Sequence, residues 1–410
     1  MSKATNQFSL FSRRRVPNGT KAQRRVHFSI SLLAHSRIVG LALLPFSLLA
    51  TALVFTAGSL AAQSGDAVRW RFQLNQGIPA KLVWETRVEA NYDLWASSNL
   101  LHWRHVEGFP KAGTGLELEY TIETGPHGFF RILAEDGFVP IPAGAYAMGD
   151  SIDGLINAPP HNVQISAFEI GRFEVTKALW DTVRAWGETN GYVGITAAWG
   201  KAPDHPAQHV LWYAVVKWCN ARSEMEGRTP CYYTSSGVVY RSGSINAVTC
   251  NWAADGYRLP TEAEWEKAAR GGTNGRRFYW GPDISHSHAN YNSAGIYLFD
   301  ISTTSGYHPA FQDAAAPFTA PVGRFAPNAF GLYDMAGNVF EWCWDWWDSD
   351  YYASSPGTDP SGPESGSSRI LRGGAWSENA GYCRLAYRFW ETPGALRSDI
   401  GFRLVRRAVQ

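Results

Sequence analysis

An excess of either charge is missing from this chain: 37 Lys and Arg residues face 36 Asp and Glu. That balance leaves no electrostatic case for a nucleic-acid partner. Cysteine is scarce and odd in number, with Cys219, Cys231, Cys250, Cys343 and Cys383 as the full set. Complete pairing within one chain is therefore excluded, and at least one thiol is free or paired between chains. Internal repeats are absent from the C-terminal two thirds, so no repeat architecture is indicated there. Acidic residues are absent from positions 1–65. What is abundant is tryptophan, with 18 residues, and glycine, with 40. Glycine exceeds its usual share of about 7%, and the pair of excesses points to a loop-rich fold packed on aromatic rings. The length of 410 residues allows two or three domains and a sizeable core.

The basic residues of the N-terminal segment all lie between Lys3 and Arg37, and an uncharged apolar run follows at 38–62. That run is long enough to span a bilayer. It closes on small residues, Ala57, Gly58, Ser59, Ala61 and Ala62, with Ser59-Leu60-Ala61 in small-x-small order. Residues 1–62 are read as a basic leader with an export signal. An uncleaved membrane anchor, its basic side inside the cell, is the alternative. Both readings place residues 66–410 outside the cytoplasm, where disulfides are permitted. Cys231 and Cys250 flank an alternating stretch with a Ser235-Ser236-Gly237 turn, so a bridge at the base of a hairpin is one option.

Residues 63–135 read as a small all-β module. "KLVWETRVEA" and "LELEYTIETG" alternate with period 2, and turn residues such as Pro110 and Gly113 separate the runs. The segments "YDLWASSNLLHWRHV" and "GPHGFFRIL" resemble short β-repeats of exported bacterial proteins, which implies a spacer and no activity.

A larger domain, 136–410, opens at "FVPIPAGAYAMGD". "EVTKALWDTVRAWG" predicts a helix capped by Thr176, with Ala178, Leu179, Val183 and Trp186 on one side. "LWYAVVKWCNARSEMEG" predicts a second, closed by Gly227. "RLPTEAEWEKAARGG" is the clearest local signal: Thr261 caps, Glu264 completes a capping box, and Gly271-Gly272 end the helix. The helix dipole accounts for Glu262 and Glu264 without catalysis. Residues 272–327 show little periodicity and many rings, among them Trp280, Tyr291, Tyr297, Phe299, Tyr307 and Phe311, while 354–368 is a polar, flexible surface loop.

Four stretches stand in order: "IPAGAYAMGD", "YRLPTEAEWEKAARGG", "PNAFGLYDMAGNVFEW" and "LRGGAW…CRLAYR…IGFRLV". Together they resemble the formylglycine-generating enzyme family, also called sulfatase-modifying factors, over residues 138–406. The resemblance implies an α+β domain related to the C-type lectin fold, poor in regular secondary structure and often carrying calcium. At the matching positions the family's calcium ligands are Asp334, the carbonyls of Gly337 and Val339, and Glu341. These are hard oxygens of the kind calcium takes. The competing reading has Asp334 and Glu341 capping turns under Trp342, Trp344, Trp346 and Trp347. A second calcium site would begin at Asn290 with the carbonyl of Tyr291, but the sequence near 300–313 departs from the family pattern. His286 and His288 form an H-x-H pair with no third ligand in view, which reads as a surface loop. The helical domain that iron-dependent sulfoxide synthases add is replaced here by the β module, which disfavours that activity.

The formylglycine generators hold copper(I) on two cysteines five residues apart, since Cu(I) prefers soft sulfur. Counting from Gly373, the family's serine falls on Ala375, its first cysteine on Glu378 and its second on Cys383. The stretch from Cys383 to Arg388 is three residues shorter than in active enzymes, and anchoring on Arg388 moves Cys383 off the catalytic position. Cys219 matches a structural cysteine whose usual partner position is Leu404, which leaves it free or paired with Cys383 or Cys343. Copper is therefore disfavoured. Two functions follow as expectations. One is a diverged binding protein that takes a peptide, protein or glycan in a lectin-like cleft built around Trp376, Glu378, Arg384 and Arg388. The other is an oxidoreductase or protein-modifying enzyme that converts a sulfatase cysteine to formylglycine with an altered metal site and Cys383 as its catalytic residue.

Overall fold

The computed structural model describes residues 40–43, 70–75, 78–86, 90–97, 104–106, 109–114, 116–121, 129–135, 137–313 and 315–408. Most of the leader and its apolar run lies outside these. Within that run Gly40–Leu43 is a strand, paired antiparallel with Phe129–Glu135. No helix among the described residues is long and apolar enough to cross a membrane.

The alternating runs before residue 136 form strands. Ile78–Glu85 lies between Trp70–Asn75 and Glu117–Thr121, and Asn91–Ser97 pairs with Phe129–Glu135, Arg104–His105 and Lys111–Ala112. Period-2 alternation turns Leu82, Trp84, Tyr92, Leu94 and Ala96 into one buried cluster, closed by Phe109.

In the larger region both chain ends meet on one strand. Phe168–Gly171 pairs with Phe138–Ile141 on one side and Val405–Arg407 on the other, and Tyr257–Arg258 extends the sheet beyond Val405–Arg407. A second sheet runs Phe389–Glu391, Arg369–Arg372, Phe340–Trp346, Ile400–Gly401. Helices α1 (Lys177–Thr189), α2 (Trp212–Met225) and α3 (Glu262–Arg270) pack around these sheets.

Local signals explain the helix ends. The Thr176 hydroxyl accepts from the Leu179 amide at 3.2 Å. The Thr261–Glu264 capping box is complete, with contacts of 3.1 and 2.9 Å, and Gly271 ends α3 in the left-handed region at φ 59°. Gly227 follows α2 at φ 71°. In α1 the buried face is Leu179, Trp180 and Val183, while Ala178 and Trp186 are half-buried. Trp180 stacks on Trp218 of α2 at 5.6 Å, and Phe402 meets both rings edge-on.

All of α3 is buried, although it carries Glu262, Glu264, Glu266, Lys267 and Arg270. The dipole is therefore not the whole account of its acids. Arg258 forks onto Glu264 at 2.6 and 2.7 Å, Arg388 onto Glu262 at 2.8 and 3.0 Å, and Arg270 and Arg372 converge on Glu266. A buried carboxylate requires such a partner. The irregular segment after α3 is pinned by rings as expected, with Phe278 stacked on Trp280, Trp280 on His288 and Tyr297 on Phe299. The 354–368 loop is anchored at Asp359, whose carboxylate accepts from the Ser166 amide and hydroxyl, both at 2.7 Å.

Candidate functional site

Gly373 and Gly374 adopt φ values of 93° and 77°, conformations natural to glycine. The second is also a close approach: a Cβ on Gly374 would stand 2.8 Å from the Cys383 Sγ. Cys383 is thus sealed beneath the glycine pair with no exposed surface. Burial, then the nearby Glu378 and Asp300, push its thiol well above the ordinary range. A thiolate, the form that attacks or binds copper, is disfavoured there.

All five cysteines are free thiols. The hairpin of Tyr232–Thr234 and Val248–Cys250 forms, but its register sets Cys250 opposite Tyr232 rather than Cys231. Cys219 lies in a core with Trp218, Phe402 and Leu404, whereas Cys343 and Cys383 belong to another around Trp265. Neither expected pairing is therefore made.

The four residues expected to line a peptide cleft are used by the fold. Arg388 is 1% exposed, clasps Glu262, donates to the carbonyls of Asn157 and Asp348, and lies over the rings of Trp347 and Tyr352. Arg384 donates to the Gly381 carbonyl at 2.8 Å and faces Asp153 at 3.3 Å. Trp376 is buried against Phe318 and Tyr307. Glu378, on the position of the missing thiol, is bound by Arg397 at 2.8 Å. Arg397 also forks onto Asp399 at 2.9 and 2.7 Å. Sequence reasoning missed Arg397; a carboxylate replacing a thiol calls for a counter-cation, and that was the available signal.

The second constellation is acidic. The 334–338 turn contains three residues with positive φ, Asp334, Gly337 and Asn338. One Asp334 oxygen accepts from the Gly323 amide at 2.6 Å, and the other, Oδ1, is buried without a partner. Glu341 receives both arms of Arg403 at 2.6 Å and the Trp265 indole at 2.7 Å. Glu174, absent from the sequence reading, accepts from the Asn338 amide side chain at 2.6 Å and the Val339 amide at 3.2 Å. Burial, then Asp334 and Glu341, raise the Glu174 carboxyl far above normal. Asp334 is pushed up to about 6, chiefly by burial.

This donor set suits calcium in kind: hard oxygens, more carboxylate than cation, and an unpartnered oxygen on Asp334; at the second expected site the Asn290 side-chain oxygen is likewise buried without a partner. Glu341, however, is already gripped by Arg403, and among the described residues no three His, Cys, Asp or Glu side chains converge on one metal position. At the second calcium position the Tyr291 carbonyl faces the His286 ring nitrogen at 3.2 Å. The H-x-H pair is wired into its loop: His286 also contacts Thr304, and His288 contacts Ser285 and stacks on Trp280. The donor set around Cys383 does not suit copper(I), since its one thiol is accompanied by an ion-paired carboxylate.

An open groove of about 770 Å³ lies elsewhere, beside α3, and Trp252, Arg258, Asp359 and Arg407 are among its lining residues.

The sulfatase-modifying factor enzyme 1-like domain matches residues 131–408. The protein belongs to this family. It is 35% identical over 300 residues to a formylglycine-generating enzyme of Streptomyces coelicolor, covering 66% of this chain and 90% of that one. The mouse formylglycine-generating enzyme is 33% identical, with coverages of 69% and 77%. A chaperone protein LppX of Paenibacillus barcinonensis is 33% identical, with coverages of 66% and 89%. Among solved structures, Treponema denticola variable protein 1 matches with a TM-score of 0.52 at 31% identity, covering 66% of this chain and 95% of that one. CarF matches with 0.51 at 30%, covering 66% and 98%. Sulfatase-modifying factor membership and a mixed α+β architecture thus hold for the larger region, where Cys383 is a packed thiol under a glycine pair.

Proposed function

We propose that this protein is an exported, calcium-holding sulfatase-modifying factor homologue that binds a ligand rather than oxidising a thiol. The observation that carries the reading is Cys383, a single buried thiol whose expected copper partner position is the ion-paired Glu378. The lectin-like relationship and the preceding all-β unit fit a binding role, with a peptide, protein or glycan as ligand. The alternative, conversion of a sulfatase cysteine to formylglycine through an altered metal site, draws on the relatives named as formylglycine-generating enzymes.

Metal analysis together with oxygen uptake separates the two. The purified chain is expected to retain calcium, to bind no stoichiometric copper(I), and to consume no oxygen with a cysteine-containing sulfatase-type peptide. Copper bound at one equivalent and lost in Cys383→Ser would overturn the binding reading. Calcium removal by chelation is expected to lower the thermal midpoint, calcium to restore it, and Asp334→Ala to abolish that response. Indifference of the wild-type midpoint to chelator would remove calcium from the account.

The basic leader and its small-residue close support export. Sequencing the N-terminus of the mature protein is expected to find cleavage just after Ala61 or Ala62. An intact leader in a membrane fraction would favour the anchor instead, and an intact leader on soluble cytoplasmic protein would refute export.

A further inference from the structure

The groove beside α3 is assembled from distant parts of the chain: Ser166 before Phe168–Gly171, Trp252 after the Val248–Cys250 strand, Asp359 and Ser361 from the 354–368 loop, and Arg407 at the end of Val405–Arg407. Its volume of about 770 Å³ lies within the range of small-ligand sites, roughly 300–1,000 Å³. Trp252 is 43% exposed, an unusual position for so large an apolar ring in a cavity wall. It is nonetheless held in place, with the Arg258 guanidinium 5.0 Å from the ring centre and Trp344 packed edge-on at 5.9 Å. Arg258 is fixed in turn by its fork onto Glu264.

The charge of the lining selects among ligands. Arg258 and Glu264 cancel, which leaves one carboxylate, Asp359, and one guanidinium, Arg407. Lys267, behind Asp359, points to the carbonyls of Gly144 and Ile165. A lining without net charge offers little to a phosphate or an acidic peptide. An extended peptide finds no strand edge on Val405–Arg407, which is paired on both sides. A rigid aromatic surface, a guanidinium, the Ser361 hydroxyl and the Asp359 carboxylate, whose oxygens also hold the Ser166 amide and hydroxyl, match a different chemistry. The C–H face of a sugar ring packs on an indole, and its hydroxyls both donate and accept.

We infer that this groove is a binding site for a neutral oligosaccharide, with Trp252 as the stacking platform and Asp359 and Arg407 as the hydroxyl-reading groups. The assignment rests on the reading of this protein as a binder rather than an oxidase.

The test titrates the full-length protein with cellotetraose, maltotetraose, mannotetraose and chitotetraose, followed by calorimetry and tryptophan fluorescence. At least one is expected to bind saturably with a Kd below about 1 mM. Trp252→Ala is expected to weaken that binding about tenfold or more and Trp252→Phe, which keeps a ring, far less. Arg407→Met is expected to weaken it severalfold with the thermal midpoint unchanged, and Asp359→Asn to weaken it severalfold with a small loss of midpoint, because Asp359 also anchors the 354–368 loop on Ser166. No saturable binding by any of the four, or binding indifferent to Trp252→Ala, overturns the assignment. Binding of a peptide that is lost in Trp252→Ala also overturns it while leaving the binding reading intact. Copper-dependent oxygen uptake overturns the binding reading itself, so the two failures are distinguishable.

Discussion

Replacing Arg403 by methionine is expected to destabilise the protein by about 3–5 kcal/mol, the usual cost of stripping one partner from a buried ion pair. Arg403 has no exposed surface, forks onto Glu341, and donates to the carbonyls of Gly171 and Tyr333 at 3.1 and 3.0 Å. It is the guanidinium that lowers the carboxyl pKa values of both Glu174 and Asp334. Without it, three buried carboxylates face one another uncompensated.

The loss has a pH signature. A carboxyl whose folded pKa is raised binds more protons folded than unfolded. Its stability contribution is present below the unfolded value and is lost as pH rises through the folded one. Burial already raises Glu174 and Asp334, and removing Arg403 raises them further. The deficit of Arg403→Met should therefore grow from pH 4 towards pH 7. Urea denaturation in chelator at both pH values measures it. A deficit below about 1 kcal/mol, or one independent of pH, would show that Arg403 does not hold this pocket together.

Gly337→Ala is expected to be comparably damaging for a different reason. Gly337 has φ 78°, and a Cβ there would fall 2.4 Å from the Asn290 carbonyl oxygen and 3.0 Å from its carbon. These are main-chain atoms, themselves fixed because the Asn338 amide donates to that carbonyl at 2.8 Å. The left-handed backbone alone costs roughly 1–2 kcal/mol for a non-glycine residue, and overpacking adds about 1–3. Gly331 provides the control, with φ 85° and nothing within 4 Å of an added Cβ, so Gly331→Ala should show the backbone cost alone. Equal midpoint losses for the two variants in thermal denaturation would refute the close-approach argument.

Much of the chain's local design is legible without coordinates because its partners are neighbours. Thr261 and Glu264 stand three residues apart, and their capping box follows from residue type and spacing. The ordered motifs identify the family because they mark turns that only glycine, or short polar residues, satisfy. The contacts that determine the fate of the candidate site are of another kind. Arg403 meets Glu341 across 62 residues, Arg388 meets Glu262 across 126, and Glu174 meets Val339 across 165. Arg388 and Arg384 read as cleft residues because arginine between aromatics suits recognition equally well. Whether its charge faces a ligand or a buried acid depends on which strands lie beside it.

Residue order by itself determined the family, the helix caps, and the replacement of the family's first thiol by Glu378. The tertiary structure alone decided that Cys383 is sealed beneath Gly374, that Arg397 neutralises Glu378, and that Trp252 stands in an open groove. Burial and charge pairing are properties of surfaces brought together by the fold, and desolvation sets whether a thiol or a carboxylate can act.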